Sequence, residues 1–251
     1  MAAVGSPEWW AERLTRRLNE RRPRLERLER YYVGRQPLAF ATSRFRQEFG
    51  EMLRAMNDNW TQLIVSAVDE RLNVEGFRIG NQEDLDAQVR RIWQANNMDE
   101  DSQVAHTEAL KLGECAVIVW RKPEDELPTI TIEHPYHVCV ELDPENRSKR
   151  LAAVKAWRDE QHGQCATVYL PDAIYKLRRG RGGWEPRPVE DAVVENPWGV
   201  VPVVPLFNRP GLLEDGVSEC ENVLSMQDMI NKLLADMIVA AEYSAFRQRW
   251  A

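Results

Sequence analysis

"SECENVLSMQDMINKLLADMIVAAEYSAFRQRWA", residues 218–251, closes the chain and decides how everything before it is read. Val223, Met226, Ile230, Leu233, Met237, Ala240 and Ser244 recur in alternating steps of three and four. Leu224, Met229, Leu234, Ile238 and Ala241 widen that stripe into a broad apolar surface. The spacing predicts one long helix, started by a capping box of Ser218 and Glu221 and running to Trp250. At 1.5 Å per residue it would extend about 50 Å. A compact globule of this length has a radius of gyration of roughly 18 Å. The helix therefore overhangs its own domain or lies across its full width. It is read either as a core helix laid over a sheet or as an assembly helix that only neighbouring copies bury. No Gly or Pro follows Trp250 to stop it, which favours the second reading and leads us to expect that the natural chain continues.

Working back from this helix, "VVPVVPLFNRPGLLEDG", residues 200–216, reads as a proline-punctuated extended strap, and residues 208–251 are taken together as strap and closing helix. Residues 114–207 are strand-rich. "CAVIVWR", "TITIEH", "YHVCVEL", "LAAVKAW", "CATVYL" and "AIYKLRR" are runs of β-branched and aromatic residues, divided by Pro, Asp and Gly punctuation. Connections this short favour antiparallel meanders over crossovers. Residues 1–113 are helical. Ser6-Pro7 supplies an N-cap and a first-turn proline. Trp10, Leu14, Leu18, Leu25, Leu28 and Tyr32 then form a stripe up to Gly34. Further helices are expected over Ser43–Met56, along Trp60, Leu63, Ile64, Ala67, Val68 and Leu72, along Leu85, Val89, Ile92 and Trp93, and up to a C-terminal Gly113. The expected fold class is α+β, a helical N-terminal layer packed on a mostly antiparallel sheet and followed by a long C-terminal helix.

With 251 residues, 43% of them hydrophobic and 29% charged, the chain has the composition of an ordinary globular protein. The first residues hold no apolar h-region, so no secretory signal is expected. No apolar run approaches the roughly 20 residues of a membrane-spanning helix. Cys115, Cys139, Cys165 and Cys220 are widely spaced without a CxxC pair and read as buried free thiols. A net charge of −7 argues against a surface built to grip nucleic acid, though not against one that DNA passes without sticking. The exception is residues 6–35, where nine Arg stand against five Glu, read as a solvated face or as a basic arm that touches a partner.

The motifs that could carry chemistry resolve into structural features. "HPYHVC" offers His134, His137 and Cys139, but strand alternation separates His134 from the other two and no fourth ligand lies at zinc spacing. "RRGRGGWEPRP" lacks the helix start that a phosphate-cradling loop needs and reads as a hairpin tip, whose Arg178, Arg179 and Arg181 remain candidates to meet DNA or a partner. Lys232, Arg247 and Arg249 of the closing helix join that set. Val223, Met226, Ile230, Leu233, Met237 and Ala241 are the candidate oligomer interface. No catalytic constellation, metal set or cofactor motif emerges, so no enzyme activity is expected.

Three blocks, in order along nearly the whole chain, carry a family resemblance. "NDNWTQLIVSAVDERLNVEGFR" (residues 57–78) resembles the "NW…V…ERL.V.GFR" block of portal proteins from tailed phages of actinobacteria. "IWQANNMDEDSQVAHTEALKLGECAVIVW" (residues 92–120) is similar to the block that follows there. The strap, the "DGVSE" turn and the helix ending in Gln-Arg-Trp are similar to the third, although Phe246-Arg247-Gln248-Arg249 stands where the family often has a proline before Gln-Arg. The resemblance implies a ring of identical subunits, commonly a dodecamer, forming the DNA channel at the capsid vertex of a phage or prophage. It implies terminase, head-completion and tail connector proteins and the capsid as partners, with double-stranded DNA passing through without sequence specificity and no membrane. It places the protein in the virion and, during assembly, in the host cytoplasm. Residues 1–113 and 114–207 would be the helical and β-rich parts of the wing, and 208–251 the strap and a stem-type helix. Family members are commonly much longer, so the match is to their N-terminal half. A monomeric interaction adaptor and a metal-dependent nucleic-acid-processing enzyme are the alternatives.

Overall fold

The computed structural model of the chain describes residues 2–37, 47, 50, 58–80, 83–122, 124–212 and 215–245. It has the expected α+β architecture. The helix expected over Ser43–Met56 lies almost wholly outside the described residues.

Helix α1 spans Pro7–Tyr32. It begins where the sequence places it, with Ser6 Oγ accepting the Trp9 N–H at 3.2 Å and Pro7 in the first turn, where its missing N–H costs nothing. Its apolar stripe serves two different neighbours. Ala11, Leu14 and Leu18 pack on the larger sheet, whereas Leu25, Leu28 and Tyr31 pack among helices. Helix α2 covers Trp60–Asp69, α3 Glu83–Ala95 and α4 Met98–Leu112. The sequence stripe carried α2 on to Leu72, but the helix stops at Asp69 and Leu72 is exposed. Asn73, Val74 and Gly76, all poor helix formers, follow it. Gly113 ends α4 at a φ of +90°, the left-handed C-terminal glycine expected there.

The strands are β1 (Glu114–Trp120), β2 (Thr129–Glu133), β3 (Val138–Leu142), β4 (Arg150–Asp159), β5 (Gly163–Tyr169), β6 (Ala173–Gly180), β7 (Gly183–Pro186), β8 (Val193–Glu195) and β9 (Val203–Phe207). Every described pairing is antiparallel. They form two sheets, one ordered β2-β1-β9, the other β3-β4-β5-β6-β7 with β8 also on β6. The larger sheet is covered on both faces, which explains why β4 reads as the continuous run "LAAV". Ala152 and Val154 face α1, and Ala153 faces the smaller sheet with Ala116, Ile118, Val201 and Val203. The "RRGRGGWEPRP" stretch forms the β6–β7 hairpin, as expected.

After β9 the strap returns to the end of α4 through backbone bonds from Asn208 N to Gly113 O (2.9 Å) and from Glu219 N to Leu110 O (2.9 Å). A 3₁₀ turn at Glu221–Val223 leads into α5, which covers Leu224–Ala245. The last helix is thus described for 22 residues. No described helix is long and apolar enough to cross a membrane. All four cysteines are free and buried, and burial pushes the Cys115 thiol up to about 12.

Candidate functional site

Helix α5 is held hard at its base and left bare along one flank. At the base, Cys220 and Leu224 are buried with Leu25, Leu28 and Tyr31 of α1, Val65 of α2 and Leu110 and Leu112 of α4. Gln227, 1% exposed, is the polar pin. Its Nε2 donates to Asp58 O (2.7 Å) and its Oε1 accepts from Trp60 N (2.9 Å), which also satisfies an orphan donor at the start of α2. Tyr31 Oη donates to Asp228 at 2.8 Å. The Ser218–Glu221 capping box does not form. Ser218 Oγ donates to Lys111 O at 2.5 Å and accepts from Cys220 N at 3.0 Å, so its hydroxyl ties the strap to α4. Glu221 turns instead to Arg24 of α1, at 2.7 Å.

That pair belongs to a row of arginines on one side of α1 that sequence reasoning assigned to solvent or to a partner. Arg17 reaches Glu141 (2.7 Å) and Asp215, Arg21 reaches Glu114 (2.8 Å), and Arg13 reaches Glu141 (2.6 Å). The row is an internal clasp that fastens β1, β3 and the strap to α1. Arg17, Arg21 and Arg24 line an open polar cleft of about 650 Å³ with Glu20, Gly216, Val217 and Asn222. The 17, 21, 24 spacing puts these side chains on one helix face, the one signal in the sequence that could have marked them as a unit.

The hydrogen bond from Arg24 holds the Glu221 carboxyl below the usual carboxylate range, against the opposing effect of burial. A carboxylate depressed in the folded state stabilises above its unfolded pKa, and that contribution is lost as pH falls through the folded value. Glu221→Gln should therefore lower stability by about 0.2–1 kcal/mol at neutral pH, the range for exposed pairs. The difference from wild type should close as pH drops below about 4, measured by denaturant midpoints across pH.

The flank away from the body is different. Met226, Met229, Leu233 and Met237 are each 60–66% exposed, at steps of three, four and four residues. The candidate interface residues divide between two sides of the helix: Met226, Leu233, Met237 and Ala241 are exposed, Val223 and Ile230 half-buried. Among the cations, Arg178 pairs with Glu185 (2.9 Å), Arg179 pairs with Glu12 (3.2 Å) and lies over the Trp184 ring, and Lys232 pairs with Asp236. Arg181 is exposed at the β6–β7 turn and makes no ion pair among the described residues. Arg247 and Arg249 lie outside the described residues.

Among the described residues the structure brings one set of possible metal ligands together, though not the one in "HPYHVC". Ligand atoms of Glu29, Glu108 and His134 lie within 4.8 Å of one another. Lys111 Nζ sits among them, 2.8 Å from Glu29 and 2.6 Å from Glu108, so an ammonium already provides the countercharge. His134 Nε2 is 3.3 Å from Glu108, and burial lowers its pKa. His137 instead places Nδ1 3.1 Å from Ala156 O, and Cys139 is buried in the α1 core.

Residues 11–251 match the family described as phage portal protein, SPP1 Gp6-like. The chain is 34% identical over 201 residues to the portal protein of Mycobacterium phage L5, covering 76% of this chain and 40% of that protein. It is 32% identical over 200 residues to the portal protein of Mycobacterium phage D29, with the same shares. The chain thus spans about 40% of the length of the curated relatives it matches.

Proposed function

Because the chain belongs to the SPP1 Gp6-like phage portal proteins, we propose that it supplies the wing and the beginning of the stem of a portal ring at a capsid vertex. Residues 1–113 and 114–207 are the helical and β-rich parts of the wing, and 208–251 the strap and stem-type helix. The observation that carries this reading is the bare flank of α5. Four large apolar side chains are exposed on a helix whose other side is pinned by Gln227 and Leu224. Leaving such a stripe in water forfeits roughly 1–2 kcal/mol per side chain that burial of the exposed part would return, and a neighbouring copy supplies that burial.

In this role the protein is structural, a channel through which double-stranded DNA passes during packaging and ejection without being read. Acidic overall charge suits it, since phosphates are not held. Terminase, head-completion and tail connector proteins and the capsid are its partners, and Arg181, exposed at its hairpin tip, is a contact point for one of them. The role requires no cofactor. Its place is the virion vertex, with assembly in the host cytoplasm. The test is the mass of the full chain by light scattering across concentration. A closed ring of one defined stoichiometry is expected. A chain monomeric at every concentration overturns the reading.

A further inference from the structure

We propose that β2 accepts a strand from a second copy of this chain, and that the donor is the extended segment 73–78. The inference rests on the ring reading above and names one contact that would close it. Val119 N–H bonds Pro202 O at 2.9 Å, so Val117 and Val119 of β1 point their backbone groups at β9, and Ala116, Ile118 and Trp120 point theirs at β2. These three oppose Glu133, Thr131 and Thr129. Ile130 and Ile132 therefore aim their N–H and C=O groups out of the sheet. Asn96 Oδ1 takes the Ile130 N–H at 2.8 Å. The Ile132 N–H and both outward carbonyls have no partner among the described residues.

Other edges are blocked. On β9 the outward position opposite Ala116 is Pro205, which has no N–H to offer. On β3 the outward Val138 carbonyl is taken by the Arg21 guanidinium, which also donates to Pro135 O at 2.7 Å. β7 and β8 are four and three residues long, and β7 ends in Pro186. β2, "TITIE", carries no proline or cation and exposes Thr129 and Thr131. An open edge of this kind is a pairing site.

The same chain holds a matching strand. Residues 73–78 run without turn or bend, mostly exposed, and their backbone has no hydrogen bond among the described residues. Both ends are anchored. Leu72 N–H bonds Asp69 O (2.9 Å), Ile79 N–H bonds Asp86 Oδ1 (2.6 Å), and the Phe77 ring packs edge-on against Trp93 at 5.0 Å. A segment already held in place gives up little entropy on pairing. Gly76 adds no side chain, and nothing lies within 4 Å of where a Cβ would stand. An acceptor edge and a donor segment at different places on one chain make a head-to-tail contact, the kind that closes into rings.

The test compares two substitutions in the full chain that remove the same Ile132 side chain. Ile132→Ala keeps the outward N–H. Ile132→Pro removes it without touching the β1 ladder, which uses Thr131 and Glu133. We expect Ile132→Pro to raise the concentration needed for ring assembly by about tenfold over Ile132→Ala, by mass photometry; equal thresholds would overturn the proposal. Hydrogen exchange of the unmodified chain gives an independent readout. Alternate amides within residues 73–78, those that face β2, should slow by about a hundredfold on going from monomer to ring. Rings that form with these amides still exchanging freely would refute the strand contact while leaving the portal reading intact, whereas a chain that never forms rings removes both.

Discussion

Gly216→Ala should prevent the chain from reaching its native state at ordinary temperature. A Cβ built on Gly216 would stand 2.0 Å from Gly113 O and 3.0 Å from Gly113 C. Both are backbone atoms, so no side-chain rotation relieves the overlap. Neither side can retreat. Gly113 sits at a φ of +90° between α4 and β1, and its carbonyl accepts from Asn208 N. On the strap side, Ser218 is bonded to Lys111 O two residues further on. Opening the contact would break the bonds that seat the strap and, through it, the base of α5. With no side chain able to give way, the cost should pass the roughly 1–3 kcal/mol typical of overpacking and reach the exceptional range above about 4 kcal/mol. Thermal unfolding and soluble yield measure it. Gly182→Ala, at the β6–β7 turn with nothing within 4 Å of its Cβ, is the matched control and should change little. A Gly216→Ala protein as stable as that control would show that the strap does not pack on Gly113.

Leu233→Asp should leave the monomer folded and abolish assembly. Leu233 is 60% exposed, so the substitution removes little from the folded subunit; surface changes of this kind stay within about 0.5 kcal/mol. In the proposed ring the same position would be buried at each subunit contact. There the change loses the transfer of a leucine, roughly 2 kcal/mol, and adds the burial of an unpaired carboxylate, several kcal/mol more. Every 1.4 kcal/mol is tenfold in affinity, so each contact should weaken by about three orders of magnitude or more. Light scattering of the full-length variant, beside its denaturant midpoint, separates the two effects. Rings at the wild-type concentration would take α5 out of the interface. A collapsed midpoint would mean that Leu233 serves the subunit's own core.

The strands and most helix boundaries were readable because they follow from short-range chemistry. β-branched runs broken by Pro, Asp and Gly became antiparallel strands. Ser6-Pro7 became a cap, and Gly113 a left-handed stop. The broad apolar surface of the last helix was also visible, but which of its residues meet solvent was not. Periodicity places Met226 and Ile230 on one stripe, yet only Met226 is bare, because the side that faces the body is set by where Gln227 finds the Asp58 carbonyl and the Trp60 amide. The arginines of α1 carried the same ambiguity. Nine of them within residues 6–35 read as a basic face, and nothing local shows that Glu114, Glu141, Asp215 and Glu221 arrive from far along the chain to neutralise it.

What the sequence determined by itself was the fold class, the order of elements and the family, since each depends on residue types at fixed local spacings. What only the tertiary structure decided was allegiance. The Ser218 hydroxyl serves Lys111 and does not cap its own helix, and His134 joins Glu108 while His137 turns to Ala156. Among the described residues the β2 edge keeps an unpartnered Ile132 N–H beside an Asn96-capped Ile130, while Pro205 removes the donor from the opposite edge. Such choices turn on hydrogen bonds and charges between residues tens to hundreds of positions apart. Their partners become neighbours only once the chain has folded, and a pattern read along the sequence carries no distance across it.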